Sequence, residues 1–405
     1  MMNLPRFSAR PDDPEFFNDP YPFYQAMRNL GPAVYWEEYD KVAFCDYRVV
    51  NAILRDRRFG REITHVMSRE GAGLDPIPDH LASFYEFEAR SMLEREPPAH
   101  TRLRNLVNRA FVSRNIESMR MRIETLAHAL IDAFEEKGQI DLLPAYAEKI
   151  PVVVICELLG VPVSMSDQLL EWSHRMVAMY HFNRTRETED RAIEAMNAFC
   201  AFISEYAMER SKSPRDDLIS SLIAASETGD TLTHDELVNI CILLLNAGHE
   251  ATVHALGNAI KALIEYGVDV PSLLADRRSE NTVVDELLRF DPPLHLFSRY
   301  VLEDLEFDGI DLRKGQSVAL LLGAANHDPK RYSNPDRLDF VRGGTGHLAF
   351  GAGIHFCLGA PLARLEMAVA LRVLFERLPK MKLSEPPEYR NQFHFHGLEK
   401  LQVSW

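Results

Sequence analysis

The sequence predicts a mainly α-helical fold with small β-sheets, an α+β protein with a single domain. A helical period of apolar residues dominates residues 47–275, whereas β-type alternation is confined to short segments. No repeat with a period of about 20 to 50 residues and no linker composition divides the chain, so one unit covering residues 1–405 is expected. The hydrophobic content of 46% is enough for a large core.

Several short segments depart from the helical pattern. Residues 33–47 alternate apolar and polar side chains around a central turn, which predicts a β-hairpin. β-type patterns recur at residues 299–307, 317–322 and 398–405. Residues 62–93 contain two glycines and two prolines, and they predict a long irregular loop of the kind that more often binds than packs.

The longest helix is predicted over residues 233–266. Thr233 and Glu236 have the spacing of a capping box, and Gly267 can adopt the left-handed stop. The middle of this helix contains Gly248 and Glu250 within an apolar run. An interior glycine costs about 1 kcal/mol relative to alanine, and an acid in such a context should be solvated or functional. Together they predict a locally opened helix beside a cavity.

The charge balance and the apolar segments limit the partners. With 45 basic and 60 acidic residues, the net charge of −15 argues against a nucleic-acid partner. No apolar stretch approaches the roughly 18 to 20 residues of a membrane span, and residues 1–14 lack the order of a signal peptide. We therefore expect a cytoplasmic monomer that binds neither nucleic acid nor membranes.

Two familiar motifs are excluded by single residues. His249-Glu250 would fit the zinc-protease motif H-E-x-x-H only with histidine at position 253, where the chain has Val253. The glycine-rich segment before Cys357 lacks the nucleotide-binding patterns G-x-G-x-x-G and G-x-x-x-x-G-K, because Phe356 occupies the third glycine position. Zinc-protease chemistry and nucleotide binding are therefore disfavoured.

Cys357 lies between that glycine-rich segment and a helical run that ends near Leu378. Glycines let the backbone approach the sulfur, and the N-terminus of the following helix favours a thiolate. One cysteine supplies one ligand, so a metal bound here must bring its own equatorial ligands, as haem iron does. The alternative is a buried cysteine at a glycine-rich turn.

Residues 350–359 match every defined position of F-G-x-G-x-[HR]-x-C-x-G, the signature of the cytochrome P-450 family. The chain resembles the soluble bacterial haem-thiolate monooxygenases of this family over nearly its whole length. Glu286 and Arg289 resemble the E-x-x-R pair, whose network Arg337 would complete, although a solvated ion pair is the simpler meaning of that tetrapeptide. The resemblance implies the cytochrome P-450 fold, with haem between the long central helix and the helix after the cysteine loop.

The resemblance also implies a haem site with heme b, iron protoporphyrin IX. Cys357 would be the metal ligand, O₂ the cosubstrate, and NAD(P)H would be used only through a partner reductase. The other residues implied in cofactor binding are His100, Arg104, Arg299, His355, Phe350, Gly351 and Gly359. For the charged residues of this set, solvated surface charge is the alternative.

The implied oxygen site is Gly248, Glu250, Ala251 and Thr252, with Glu250 relaying protons. Relatives usually have threonine immediately after the acid, where this chain has Ala251. Because one helical step is about 100°, Thr252 points elsewhere. A substrate hydroxyl, ordered water or a re-angled Thr252 could replace the missing hydroxyl, and we hypothesise that the substrate assists proton delivery. Glu250 as a partly solvated helix acid is the alternative. His396 is a smaller departure, since relatives often have arginine there.

The implied partners are a ferredoxin and a small hydrophobic substrate. Arg109 and Arg114 belong to a group of arginines that would attract an acidic ferredoxin, unless they form a solvated helix face. The residues implied in the substrate pocket, each of which could instead belong to the core, are Phe84, Tyr85, Phe87, Leu243, Asn246, Ala247, Leu294, Phe297, Phe393 and Phe395.

Three function classes stay open at this point. The first is a monooxygenase that hydroxylates or otherwise oxidises its substrate with electrons from ferredoxin and ferredoxin reductase. The second is a haem-thiolate peroxygenase or oxidative coupling enzyme, which Ala251 makes plausible. The third is a haem-based ligand sensor or carrier without turnover. The sequence does not specify the substrate.

Overall fold

The computed structural model describes residues 4–112, 116–180, 184–227, 230–342 and 346–405. The chain forms two compact units. The first unit comprises Met1–Gly73, Arg120–Ile150 and Ala251–Trp405, and the second comprises Leu74–Met119 and Pro151–Glu250. That residues 1–405 form one catalytic domain stays a prediction.

Helices make up most of both units, as predicted. In the described residues they are α1 (Pro14–Asn18), α2 (Tyr21–Leu30), α3 (Tyr47–Arg55), α4 (Ala82–Glu88), α5 (Ala99–Val112), α6 (Arg120–Asp132), α7 (Lys149–Leu159), α8 (Ser166–Val177), α9 (Arg186–Lys212), α10 (Leu218–Ala224), α11 (His234–Tyr266), α12 (Val270–Leu273), α13 (Arg277–Phe290), α14 (Leu322–Asn326) and α15 (Ala360–Arg377). Among these residues, no helix is both long and apolar enough to cross a membrane.

The strands are short. They are β1 (Arg6–Phe7), β2 (Ala33–Trp36), β3 (Lys41–Phe44), β4 (Phe59–Gly60), β5 (Gln139–Asp141), β6 (Ser226–Glu227), β7 (Asp230–Thr231), β8 (Leu296–Val301), β9 (Leu305–Phe307), β10 (Ile310–Leu312), β11 (Ser317–Leu321), β12 (Lys382–Leu383) and β13 (Gln402–Ser404). In the first unit they form a six-stranded sheet in the order β1-β2-β3-β11-β8-β4, a three-stranded sheet β12-β13-β5 and the pair β10-β9. The second unit contains the pair β6-β7.

The six-stranded sheet separates two layers of the first unit's core. The predicted hairpin is confirmed, because β2 pairs antiparallel with β3. On β11, Val318 and Leu320 face one apolar cluster and Ala319 and Leu321 face another. Successive side chains of a strand point to opposite faces, so a strand that is buried on both sides loses the apolar-polar alternation. This explains why β11 is apolar from Val318 to Leu321.

The predicted capping box of the long helix α11 is confirmed. The backbone N–H of Glu236 donates to Thr233 Oγ1 at 3.2 Å, and the N–H of Thr233 donates to Glu236 Oε2 at 2.9 Å. At the other end, Gly267 has a φ of +61°, the left-handed stop.

Two expectations about helical segments are corrected. Helix α11 is continuous from His234 to Tyr266, so the predicted opening at Gly248 does not occur. The glycine has a packing role instead, since a Cβ at this position would lie 3.0 Å from Ile155 Cγ1. Residues 62–93 are also more regular than predicted, because they contain a 3₁₀ turn at Asp79–Leu81 and helix α4.

Candidate active site

The loop before Cys357 depends on two glycines with left-handed backbone. Gly351 and Gly353 have φ values of +67° and +72°. A Cβ at Gly353 would collide with the carbonyl oxygen of Leu54, so this glycine is required for space as well as for conformation. The loop closes where the N–H of Cys357 donates to the carbonyl of Phe350 at 3.0 Å.

Cys357 lies beside the N-terminus of α15. Gly359 is the residue before the helix, and a Cβ there would lie 4.0 Å from Cys357 Sγ. Pro361 occupies the first turn, where its missing N–H costs nothing. The positive end of the helix dipole stabilises a thiolate at such a position.

The donor set around Cys357 fits haem iron. In the described residues, two clusters of three side chains lie close enough to share a metal ion, and Cys357 belongs to neither. A metal at this sulfur would therefore need ligands of its own. Residues 353–359 are half-buried or exposed, with Phe356 at 40%, whereas α15 immediately after them is largely buried. This partly open loop is what a large planar cofactor against the sulfur requires.

Strand β8 contains two predicted residues, and one of them, Phe297, reaches the cysteine loop. A Cβ at Gly351 would lie 3.2 Å from the ring of Phe297, so this glycine lets the phenyl ring approach the loop. Arg299, two residues later, is 3% exposed, and its guanidinium carbon lies 5.8 Å from the centre of the Phe297 ring. Its Nη1 donates to the carbonyl of Ser298 at 2.9 Å. The ring of Phe350, also in this loop, packs under Arg364, whose guanidinium carbon lies 4.6 Å from the ring centre.

Glu286 and Arg289 form a buried bidentate ion pair rather than a solvated one. Arg289 is 1% exposed, and its Nε and Nη2 donate to the two carboxylate oxygens at 2.7 and 2.8 Å. Its remaining three N–H groups donate to the main-chain carbonyls of Asn326, Pro335 and Arg337. The expectation for Arg337 is corrected here. Arg337 contributes a carbonyl oxygen, and the arginine side chain that reaches Glu286 is that of Arg342, at 3.4 Å.

Glu250 lies in a cluster with two histidines of the second unit. Its carboxylate is 6% exposed, and Oε1 is 3.2 Å from His174 Nε2 and 3.4 Å from His249 Nε2. His174 is a residue that the sequence analysis missed. It belongs to α8, far from Glu250 along the chain, and no local pattern indicates that these two helices meet. Its side chain is 46% exposed, so it connects a buried acid to solvent.

The face of α11 before Glu250 is apolar and open. Ala247 is exposed, and Leu243 and Asn246 are half-buried, although Leu244 and Leu245 beside them are buried. Residues three and four apart share a helix face, so these positions form one stripe. Beyond Glu250, Ala251 is half-buried and Thr252 is 5% exposed.

Two predicted haem residues, His100 and Arg104, and the predicted docking residue Arg109 lie on α5. His100 is 2% exposed and shares a helix face with the half-buried Arg104. Arg109 is exposed. Arg120 forms a bidentate pair with Glu280 at 2.9 and 2.7 Å, so its charge is largely neutralised. Arg114 lies outside the described residues.

The predicted substrate residues have different environments. Phe393 is corrected to a core residue, because it is 6% exposed and its ring centre lies 5.0 Å from that of Phe16 and 5.6 Å from that of Trp36. Leu294 and Phe395 are paired by a β-bridge. In α4, Phe84 is 4% exposed and buried, whereas Tyr85 and Phe87 are half-buried.

His396 belongs to a buried network around Asp291. Asp291 Oδ1 lies 3.4 Å from His396 Nε2 and 3.8 Å from His295 Nε2. The hydroxyls of Tyr21 and Tyr389 donate to the same carboxylate at 2.9 and 2.5 Å. Burial, reinforced by His295, lowers the pKa of His396 to about 3. Burial alone would raise the pKa of Asp291, but His396, His295 and Tyr389 hold it well below its ordinary value.

A mainly helical fold with a cysteine beside a helix N-terminus fits a metalloprotein whose iron is held in a macrocycle of its own. Comparison with known proteins agrees. The family described as Cytochrome P450 matches residues 62–267 and 278–395. The chain therefore belongs to the cytochrome P450 family. It is an oxidoreductase of the monooxygenase type, a haem- and iron-binding protein that uses O₂ and reducing equivalents.

The similar proteins include two from Bacillus subtilis (strain 168). Polyketide biosynthesis cytochrome P450 PksS is 33% identical over 411 residues, covering 99% of both chains. Biotin biosynthesis cytochrome P450 is 34% identical over 402 residues, covering 96% of this chain and 97% of the relative. Among solved structures, P450BioI in complex with hexadec-9Z-enoic acid ligated acyl carrier protein superposes with a TM-score of 0.89 at 32% identity. That match covers 96% of this chain and all of the other.

Proposed function

We propose that the protein oxidises a small, mainly hydrophobic organic substrate with electrons that a ferredoxin and its NAD(P)H-dependent reductase deliver. The observation that carries the substrate class is the open stripe of Leu243, Asn246 and Ala247 directly before Glu250. Two of its three side chains are apolar, and such a lining with one polar group suits an apolar ligand. The fatty-acyl group named in the P450BioI complex is also apolar, which supports the same class.

The haem group would be held by Cys357, with Arg299, His355, His100 and Arg104 as candidate donors to its propionates. When bound, it supplies the reduction and cleavage of O₂, which thiolate ligation favours. The negative sulfur is in turn stabilised by the N-terminus of α15. Gly359 has no side chain to place beside that sulfur, from which a Cβ would lie 4.0 Å away.

Glu250 would hold the proton that this chemistry consumes. The carboxylate is buried and cannot exchange freely with water, but His174 lies 3.2 Å from it and is half-exposed. An imidazole can both accept and donate a proton, so His174 is suited to carry protons from solvent to Glu250. This pair makes a protein-side proton route within the second unit.

Ala251 leaves the position after Glu250 without a hydroxyl. Thr252 is 5% exposed and buried in the helix packing. We therefore propose that a hydroxyl of the substrate, or water that it orders, completes the hydrogen bonding that a threonine provides in relatives. A peroxygenase or oxidative coupling enzyme is the second candidate, and the missing hydroxyl at Ala251 is the observation that favours it.

The experiment is a screen of purified, haem-loaded protein against apolar and polar compounds for the low-to-high spin shift of ferric iron. Compounds that shift the spectrum are then incubated with ferredoxin, its reductase and NADH, and in parallel with peroxide alone. We expect apolar compounds to bind and to yield oxidised product only with the electron-transfer system. Product from peroxide alone would favour the peroxygenase, and binding without any product would favour a carrier.

A further inference from the structure

The cluster of His174, His249 and Glu250 has the geometry of a metal site. Their ligating atoms all lie within 4.8 Å of one another, with Glu250 Oε1 at 3.2 and 3.4 Å from the two Nε2 atoms. In a tetrahedral zinc site with bonds of about 2.0 to 2.1 Å, neighbouring ligand atoms lie about 3.3 Å apart. The three side chains therefore need little movement to share one ion.

The tautomer of His249 is defined by its own helix. Its Nδ1 lies 2.7 Å from the carbonyl oxygen of Leu245. A carbonyl only accepts, so Nδ1 must carry the hydrogen, and Nε2 of the neutral ring holds a lone pair. This is also how metal-binding histidines are usually oriented, with the second ring nitrogen donating to a carbonyl.

The lone pair of His249 has no hydrogen bond to satisfy it. The residue is 2% exposed, and Nε2 is a buried nitrogen without a hydrogen-bond partner. It faces Glu250 Oε1 at 3.4 Å, and an ionised carboxylate also only accepts. A cation beside His249 Nε2 would satisfy this lone pair, whereas an ionised carboxylate has no hydrogen to donate to it.

The site also has an access route and a preferred class of ion. His174 is 46% exposed and lies on the solvent side, so an ion can reach the buried ligands past it. Two imidazoles and one carboxylate suit Zn²⁺, Co²⁺ or Cu²⁺ rather than Mg²⁺ or Ca²⁺, which prefer oxygen ligands. A water molecule would complete the coordination.

The second histidine cluster is different. Asp291, His295 and His396 also lie close together, but the carboxylate of Asp291 already accepts hydrogen bonds from Tyr21 and Tyr389. All three residues are buried, and none provides a solvent-facing ligand comparable to His174. Of the two clusters in the described part of the chain, the one at Glu250 combines a buried nitrogen without a hydrogen-bond partner and a ligand that faces solvent.

We propose that His174, His249 and Glu250 bind one divalent transition-metal ion, with Zn²⁺ as the type case. The ion takes the place of the proton between His174 and Glu250. Because coordination holds Glu250 as a carboxylate, a bound ion stops it from passing a proton, and turnover slows. This consequence rests on the proposed proton role of Glu250, whereas the binding itself does not.

The test measures Zn²⁺ binding to untagged, haem-loaded protein by isothermal titration calorimetry and by equilibrium dialysis with metal analysis. We expect one ion per chain, with affinity reduced at least about tenfold in His174→Gln and in His249→Gln. His174 is half-exposed, so its variant folds even where the buried His249 variant does not. His80→Gln is the matched control, since His80 also pairs with a glutamate of the second unit, Glu189, at 2.8 Å.

Zinc binding that is equal in the wild type, His174→Gln and His80→Gln would overturn the metal site. Turnover with ferredoxin is measured separately with and without Zn²⁺. Inhibition of the wild type and of His80→Gln at the Zn²⁺ concentrations that fill the site supports both proposals. Zinc binding at this site without inhibition supports the metal site and contradicts the proton role of Glu250. A failure of the metal proposal can therefore be distinguished from a failure of the proposed proton role.

Discussion

Replacing Arg289 by lysine should destabilise the protein strongly, although the charge is kept. All five N–H groups of Arg289 donate hydrogen bonds, two to Glu286 and three to main-chain carbonyls. A lysine ammonium has three donors, so at least two buried acceptors lose their partner. At about 1 to 3 kcal/mol for each unsatisfied buried group, the expected loss is about 2 to 6 kcal/mol in the free energy of unfolding.

The assay is urea unfolding of Arg289→Lys and wild type, followed by circular dichroism and by loss of the haem spectrum. Arg278→Lys is the matched control, because Arg278 belongs to the same helix α13 but is exposed. We expect the control to change the unfolding free energy by less than about 0.5 kcal/mol. A loss of unfolding free energy below about 1 kcal/mol for Arg289→Lys would refute the inference that the planar guanidinium of Arg289, with all its donors hydrogen-bonded, holds the segment after Asn326 in place.

Three further predictions concern single residues. Ala251→Thr should improve the coupling of NADH use to product for substrates that lack a hydroxyl and leave hydroxylated substrates little changed. Coupling that Ala251→Thr leaves unchanged for both substrate groups would contradict substrate-assisted proton delivery. Arg109→Glu should slow electron transfer from ferredoxin at low ionic strength and leave substrate affinity unchanged, as stopped-flow reduction would measure; an unchanged rate would exclude Arg109 from the docking face. Acidification from pH 6.5 to 5 should lower the free energy of unfolding of the wild type by about 2 kcal/mol more than that of His396→Gln. The same pH dependence of the unfolding free energy in both proteins would contradict this.

The acid sensitivity follows from where protons bind. The pKa of His396 is about 3 in the folded protein, against an ordinary value of 6.5. Between these values the unfolded chain binds a proton that the folded protein does not, so stability falls as pH falls, by about 1.4 kcal/mol per pH unit. Asp291, whose pKa is held below 3.8, stabilises the fold above that pH and adds a further loss only below it.

Local chemistry made part of the structure predictable. The capping box at Thr233, the left-handed stop at Gly267 and the hairpin of residues 33–47 depend on side chains close in sequence, and all three are confirmed. Cys357 was identifiable because the glycines that shape its loop are contiguous with it. Leu243, Asn246 and Ala247 were implied by the resemblance, and helical spacing places them on one face, but their exposure is known only from the structure.

Features that depend on packing between distant segments were not predictable. Gly248 indicated an opened helix from sequence, because nothing in its own segment reveals the approach of Ile155. His174 meets Glu250 only through the packing of α8 against α11, so no spacing in the sequence marks the pair. Phe393 is apolar in either environment, and only tertiary contacts distinguish a core ring from a pocket ring.

The ion-pair network shows the same limit. Arg337 and Arg342 lie in one short segment, and either could face Glu286 when only the sequence is considered. The backbone after Asn334, which has a φ of +48°, turns the carbonyl of Arg337 towards Arg289 and the side chain of Arg342 towards Glu286. Such a turn sets the direction of each side chain and carbonyl separately, and the periodicity of the sequence does not predict these directions.

The central claim is that the thiolate of Cys357 is the protein ligand of the haem iron. The most direct measurement is the absorption spectrum of the dithionite-reduced, carbon monoxide-bound protein, compared with Cys357→His and with the buried-cysteine control Cys241→Ala. We expect an absorption band at about 450 nm for the wild type and the control, and loss of that band in Cys357→His. A band at about 420 nm in native wild-type protein, or a band at about 450 nm that remains in Cys357→His, would contradict ligation of the iron by Cys357.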